Sequence, residues 1–328
     1  MTEGPIGSGL LLGASSHDLG PQLESQLKEA CDHRLSDVRW FRTDWQRGGA
    51  ATAYARFRSE DRGNLDVVVK IPVGPREYRF LKGLSETDAP TPRVVRHGLE
   101  IAGYDLGWIV MERLPGNPLA ASLHKDVFTA LAGAVTRFHL RTSELWPTGE
   151  AENAFNWPVL LEKARASVRT NHPSEEQSWA SLLKHVHRVL PRIVAVWDTR
   201  AVNTWCHGDL HPGNAMTRPA GTAWGPSDTV LFDLGEVHRG HWVEDAVYLE
   251  RQFWGRPEVL DGVKPVSLIA KARKAVGMDC SDDYATLANV RRLLMASISP
   301  AFMHREGSPR YLHAAREVAE RMLTAIHA

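Results

Sequence analysis

The chain has 328 residues, with 39 Lys+Arg set against 39 Asp+Glu, so its formal net charge is zero. Hydrophobic residues make up 43% and charged residues 24%, the balance of a soluble globular protein with room for about two domains or one bilobal unit. Neutrality argues against wholesale binding to nucleic acid or an anionic membrane, which reward a basic excess, and no apolar run approaches the ~20 residues that span a bilayer.

The three cysteines, Cys31, Cys206 and Cys280, are far apart and form no CxxC pair. A disulfide framework or a zinc ribbon needs more of them, closer together, so reduced and mostly buried thiols are expected. Met1–Gly9 has no basic region and Leu10-Leu11-Leu12 is too short for the apolar part of a signal peptide, which gives a cytoplasmic expectation.

Residues 1–17 are rich in Gly and Ser and are expected to be loose. Gly7, Gly9 and Gly13 loosely match a dinucleotide fingerprint, but no strand precedes them. Leu19, Leu23, Leu27 and Ala30 recur at helical spacing and predict a helix over 18–34. β-type runs follow at Val38–Arg42, Ala51–Arg58, Asp66–Val73, Val94–Gly98 and Leu106–Met111, with a short helix over Arg76–Leu84 after Pro75. This pattern predicts a small antiparallel sheet carrying one helix.

Beyond Pro115-Gly116 helical periodicity dominates. Helices are predicted over Phe128–Arg141 and over Ser174–Asp198, the second opened by Pro173 and a capping box of Ser174 with Gln177. A β-rich interruption runs from Trp205 to Val237, two short strands around a Gly/Pro/Ser loop at 218–228. Helices resume at 243–254, 266–276, 283–303 and 310–326, the last with Ser308 as N-cap and Pro309 at its first position. The predicted division is a loose 1–17, a β lobe over 18–111, a hinge over 112–118 and a helical lobe over 119–328. A cleft between two such lobes is a natural ligand site.

The densest segment is Cys206-His207-Gly208-Asp209-Leu210-His211-Pro212-Gly213-Asn214. His207 and His211 stand four apart like zinc ligands on a helix, but Gly208, Pro212 and Gly213 break a helix and no glutamate lies between the two histidines. A structural turn also suits the Gly and Pro. The third reading is a phosphoryl-transfer loop, in which an Asp takes the acceptor hydroxyl's proton and an Asn five residues on holds magnesium; Asp209 and Asn214 have that spacing. Other parts follow the matching order. Val230–Phe232 reads as a buried strand ending in Asp233, a second metal ligand, and Gly235 follows. Upstream, Lys70 is a cation inside an apolar strand, Glu77 on the next helix can steady it, and Gly48-Gly49 either let amides approach phosphate or make a hairpin turn.

In these motifs the chain resembles the aminoglycoside phosphotransferase and choline kinase group, small-molecule kinases with a protein-kinase-like fold. The resemblance rests on His207–Asn214 and on Phe232-Asp233-Leu234-Gly235, with Val69-Lys70, Glu77, the linker Ile109–Gly116 and Phe138-His139 in support. It covers roughly residues 36–328. It implies an α+β, bilobal fold: a small antiparallel β N-lobe with one helix, and a larger, mainly helical C-lobe. It also implies Asp209 as catalytic base, Asn214 and Asp233 as Mg2+ ligands, and Lys70 on the α/β phosphates paired with Glu77. Backbone groups around Glu112, Arg113 and Leu114 would hold the purine of ATP, with GTP as the alternative donor. His207 props the loop, and Asp245, in Val243–Leu249, is a structural brace.

Protein kinases carry Arg where this chain has Gly208, and here a helix begins about a dozen residues after Asp233, which leaves little room to dock a peptide. A small-molecule hydroxyl acceptor is therefore expected, a metabolite or an antibiotic, with no nucleic acid or membrane partner. A P-loop fold is excluded because the chain has no Gly-Lys dipeptide. The narrower alternatives are an aminoglycoside-resistance phosphotransferase and a nucleotide-binding, pseudokinase-like regulatory module. An acidic C-terminal tail suited to polycations is absent. Glu236 either joins the metal site or is solvated. Of the 11 Trp, Trp242 and Trp254 are the acceptor-site candidates, against the alternative that they pack helices.

Overall fold

The computed structural model describes residues 19–43, 50–150, 155–303 and 308–327. The chain divides into two units: the first runs to Pro115 and takes in Arg218–Asp228, the second comprises Gly116–Thr217 and Thr229–Ala328.

The first unit opens with α1 (Leu19–Gln22) and α2 (Glu24–Ala30), two short helices where the periodicity predicts one. Its sheet contains β1 (Leu35–Arg42), β2 (Ala51–Ser59), β3 (Gly63–Ile71), β4 (Val94–Gly98) and β5 (Trp108–Glu112), in the antiparallel order β1-β2-β3-β5-β4. Helix α3 (Pro75–Leu84) follows β3. Alternation decides which face is buried. Ala51, Ala53, Ala55 and Phe57 of β2 and Leu65, Val67, Val69 and Ile71 of β3 form one core with Leu23, Leu27 and Cys31. The 218–228 segment belongs to this unit because Trp224 is part of the same core, under the Arg62 guanidinium at 5.3 Å. Gly and Pro spacing shows that a loop is there but not where one aromatic anchor takes it.

The second unit is built on α4 (Lys125–Leu145), α5 (Trp157–Asn171), α6 (Glu176–Asp198), α7 (Val243–Arg251), α8 (Pro265–Ala275), α9 (Tyr284–Ile298) and α10 (Pro309–His327). Between α6 and α7 lie β6 (Thr204–Cys206), β7 (Ala215–Arg218), β8 (Asp228–Leu231) and β9 (His238–Gly240), paired as β6-β9 and β7-β8. A core of α5, α6, α9 and α10 side chains is centred on Trp157, Trp179, Trp197, Leu183 and Leu293. Helix α5 has no counterpart among the sequence expectations. The Ser174 capping box does not form, because Glu175 has φ 66° and its carboxylate reaches His313 and Arg316 at 2.8 and 3.0 Å instead. No helix among the described residues is long and apolar enough to cross a membrane.

Candidate functional site

In the first unit, Lys70 stands on β3 opposite the core face, between the inward residues Val69 and Ile71. Its Nζ donates to both carboxylate oxygens of Glu77 on α3, at 2.6 and 2.7 Å. Glu77 is buried and has its counter-charge in this lysine, whereas the Lys70 side chain keeps 21% exposure. At the end of β5, the Glu112 side chain is locked in a buried, two-pronged pair with Arg218 at 2.6 Å for each bond. The Glu112 amide donates to the Arg93 carbonyl and the Arg113 amide to the Asp66 carbonyl. The Leu114 amide has no backbone partner among the described residues. Gly48 and Gly49 lie outside the described residues.

In the second unit, residues 207–214 form an irregular loop whose side chains hold one another. The Asp209 carboxylate accepts from the Asn214 amide at 2.8 Å and from the Tyr248 hydroxyl at 2.5 Å, and His211 lies 3.6 Å away. Partial burial works against its ionisation, but His211, Tyr248 and Asn214 outweigh it and hold the carboxyl well below the usual range. A carboxylate only accepts, so Asn214 must turn its NH2 toward Asp209, which leaves its carbonyl oxygen facing away. The Asn214 backbone carbonyl takes the Phe232 amide at 3.0 Å, which brings the loop beside Asp233. Asp233 is exposed at φ 64°, a left-handed conformation that Asp tolerates better than most residues.

The loop hangs from α7. The Asp245 carboxylate accepts from the His207 and Gly208 amides at 2.8 and 2.9 Å and from His139 Nε2 at 2.9 Å. Arg273 contacts the other His139 nitrogen at 3.2 Å. Arginine only donates and carboxylate only accepts, so His139 is neutral with its proton on Nε2. The ring of His207 donates from Nε2 to the Phe232 carbonyl at 3.2 Å and takes the Asp209 amide on Nδ1. With both nitrogens used in this way, His207 ties the loop to the end of β8.

Gly208 has φ 82°, and a Cβ there would stand 2.1 Å from the Glu236 carbonyl oxygen. Gly208→Ala is therefore expected to cost about 1–3 kcal/mol and to lower the thermal midpoint, measured by differential scanning calorimetry. A second expectation concerns pH. Burial, opposed by Asp245, pushes His139 below its ordinary value. In the unfolded chain the same imidazole protonates near pH ~6.5, so acid favours the unfolded state. Stability carried by neutral His139 is present above that pH and falls as pH drops through it, by up to ~1.4 kcal/mol per unit. The urea midpoint of His139→Gln should accordingly lose less between pH 7.5 and 5.5 than that of the wild type.

Tyr248 was not among the residues singled out in the sequence. Its signal was its place three residues after Asp245: one face of α7 holds both the backbone and the carboxylate of the loop. Trp242 is fully buried against Tyr284 and Arg273, and so packs helices. Trp254 belongs to the helical core and edges a cavity of about 730 Å³ with Phe253 and Tyr284. Phe155, Trp157 and Trp197 pack around the Arg291 guanidinium, 5.0–5.2 Å from their ring centres. Glu236 is exposed, and its carbonyl takes the His238 ring. Cys206, His238 and Glu244 group closely enough for a metal, yet Arg200 and Arg291 approach Glu244 at 3.2 and 3.4 Å and already neutralise it.

No curated protein sequence matches the chain significantly. Solved structures of similar fold include the microcompartment-associated aminopropanol kinase (16% identity, TM-score 0.56, 92% of this chain and 98% of that one). Another is an aminoglycoside phosphotransferase homologue from Ralstonia eutropha (14%, 0.55, 93% and 98%). A third is a thermostable mutant of aminoglycoside phosphotransferase APH(4)-Ia in ternary complex with AMP-PNP and hygromycin B (13%, 0.52, 93% and 98%). At these identities the likeness is one of fold. The sequence model of the phosphotransferase enzyme family (APH) matches residues 31–266, well over half of the chain, and the protein therefore belongs to this family of small-molecule kinases.

Proposed function

We propose that the protein is an ATP- and Mg2+-dependent O-phosphotransferase that moves the γ-phosphoryl group to a hydroxyl of a small molecule. The observation that carries this reading is the Asp209 carboxylate, held ionised by Asn214 and Tyr248 and still 27% exposed at its side chain. In the proposed step the acceptor hydroxyl donates a hydrogen bond to Asp209 and its oxygen attacks the γ-phosphorus. The O–P bond forms, the bond to the β–γ bridging oxygen breaks, and ADP leaves. Because the Asp209 pKa is depressed, the carboxylate is a weak base and takes the acceptor proton late; its main work is to aim the hydroxyl.

Asn214 and Asp233 fit a magnesium site: an amide carbonyl turned away from Asp209 and an exposed carboxylate are the hard oxygen donors this ion takes. When bound, the metal neutralises charge on the transferring phosphates. Lys70, steadied by Glu77, would contact the α/β phosphates, and the Leu114 amide is available to the purine. The AMP-PNP held by a protein of the same fold supports a nucleotide donor.

The test is transfer from ATP and GTP across sugars, amino alcohols, hydroxy acids, nucleosides and antibiotics, with products identified by mass. Turnover should vanish in Asp233→Ala. An enzyme that binds Mg-ATP in a thermal-shift assay but phosphorylates nothing would favour a regulatory module instead.

A further inference from the structure

The second unit contains a cavity of about 320 Å³ that none of the roles above uses. Its wall carries Arg251 and Gln252 at the end of α7, Arg256 just beyond, and Arg310 in the first turn of α10. Gly255 lets these elements meet, since a Cβ there would stand 3.1 Å from the Tyr311 Cα. Among the described residues, three guanidinium groups and no carboxylate line the space. Glu258, outside the lining, pairs with Arg310 at 2.9 Å, and both side chains are largely exposed, so this pair is weak and open to exchange.

Helix α7 joins the cavity to Asp209. Tyr248, Arg251 and Gln252 are three and four residues apart and so share a face. The Arg251 guanidinium lies 5.1 Å from the centre of the Tyr248 ring, and the Tyr248 hydroxyl is 2.5 Å from Asp209. Arg251 therefore stands about one tyrosine side chain away from the carboxylate that is to receive the acceptor hydroxyl, and Arg256 and Arg310 line the same cavity.

We propose that this cavity is the acceptor subsite for an anionic group, so that the acceptor is a small hydroxy compound bearing a carboxylate or a phosphate. The proposal rests on the kinase reading of Asp209. Guanidinium groups bind such anions through paired, charge-assisted hydrogen bonds and repel polycations.

Two measurements test the proposal. In the first, transfer from Mg-ATP is compared for glycerate, glycerol 3-phosphate, and a set of amino alcohols and aminoglycosides. Product is expected only with an anionic acceptor, and the one used separates carboxylate from phosphate. Arg256→Ala and Arg310→Ala, both at exposed positions, should each raise the KM of that acceptor about 10- to 100-fold and leave the KM of ATP unchanged. Transfer confined to cationic acceptors, or an anionic acceptor whose KM neither variant moves, overturns the proposal.

The second measurement needs no turnover. Binding of inorganic phosphate and of glycerate is followed by calorimetry in the wild type and in the Arg256→Ala/Arg310→Ala double variant. Binding lost in the double variant supports the subsite; no binding to the wild type, or equal binding to both, overturns it. If Asp209→Asn keeps a kcat within tenfold of the wild type, the reading of Asp209 fails, whatever the arginines bind.

Discussion

Asp209→Asn is expected to lower kcat by about 10²- to 10⁴-fold while the KM for nucleotide stays near that of the wild type. The native carboxylate offers one oxygen to Tyr248 and the other to Asn214, and both partners are donors. An amide of the same shape can accept from Asn214 on its oxygen and donate its NH2 to the Tyr248 hydroxyl, so the local pairing survives while the negative charge is lost. It also cannot take a proton from the acceptor. The fold is anchored elsewhere, on Asp245, so the thermal midpoint should move little. Steady-state transfer and calorimetry on the same preparation check both halves, and a variant within tenfold of wild-type kcat would remove Asp209 from the reaction.

Asp245→Ala should do the opposite damage, first to the fold and then to activity. Asp245 is fully buried, and its removal strands the His207 and Gly208 amides and His139 Nε2 together. Removing one partner of a buried ionic network typically destabilises by about 3–5 kcal/mol. In a domain of this size that corresponds to a thermal midpoint lower by roughly 6–20 °C. Burial raises the Asp245 pKa, but the bonds from His139 and the Gly208 amide and the neighbouring histidines together outweigh it, so the net direction is down. The stability it carries is present above the ordinary aspartate range and is lost as pH falls through the depressed value. The wild type should thus lose more stability than Asp245→Ala on acidification below pH ~4.

The position of Lys70 was legible because strand alternation is a local rule: Val69 and Ile71 face the core, so the residue between them faces away. The segment His207–Asn214 was legible because its chemistry depends on spacing along the chain. Helix α5, absent from the expectations above, has a local signal of its own. Asn156 caps it through the Val159 amide, and Trp157, Leu161, Ala164 and Val168 repeat on one face. The capping box at Ser174 does not form because Glu175 takes a left-handed conformation, with its carboxylate on His313 and Arg316 of a distant helix.

By itself, then, the sequence determined the family and the α+β class. Each of these depends on order, spacing or periodicity, which a linear chain displays. Tertiary structure alone decided the partners. Asp209 meets Tyr248 across 39 positions, His139 meets Asp245 across 106, and Arg218 meets Glu112 across 106. The tryptophans were assigned in the same way: Trp157 and Trp197 surround Arg291, and Trp242 packs against Tyr284. The physical reason is that a buried charge must find its partner wherever packing brings one, and nothing in local spacing encodes that choice.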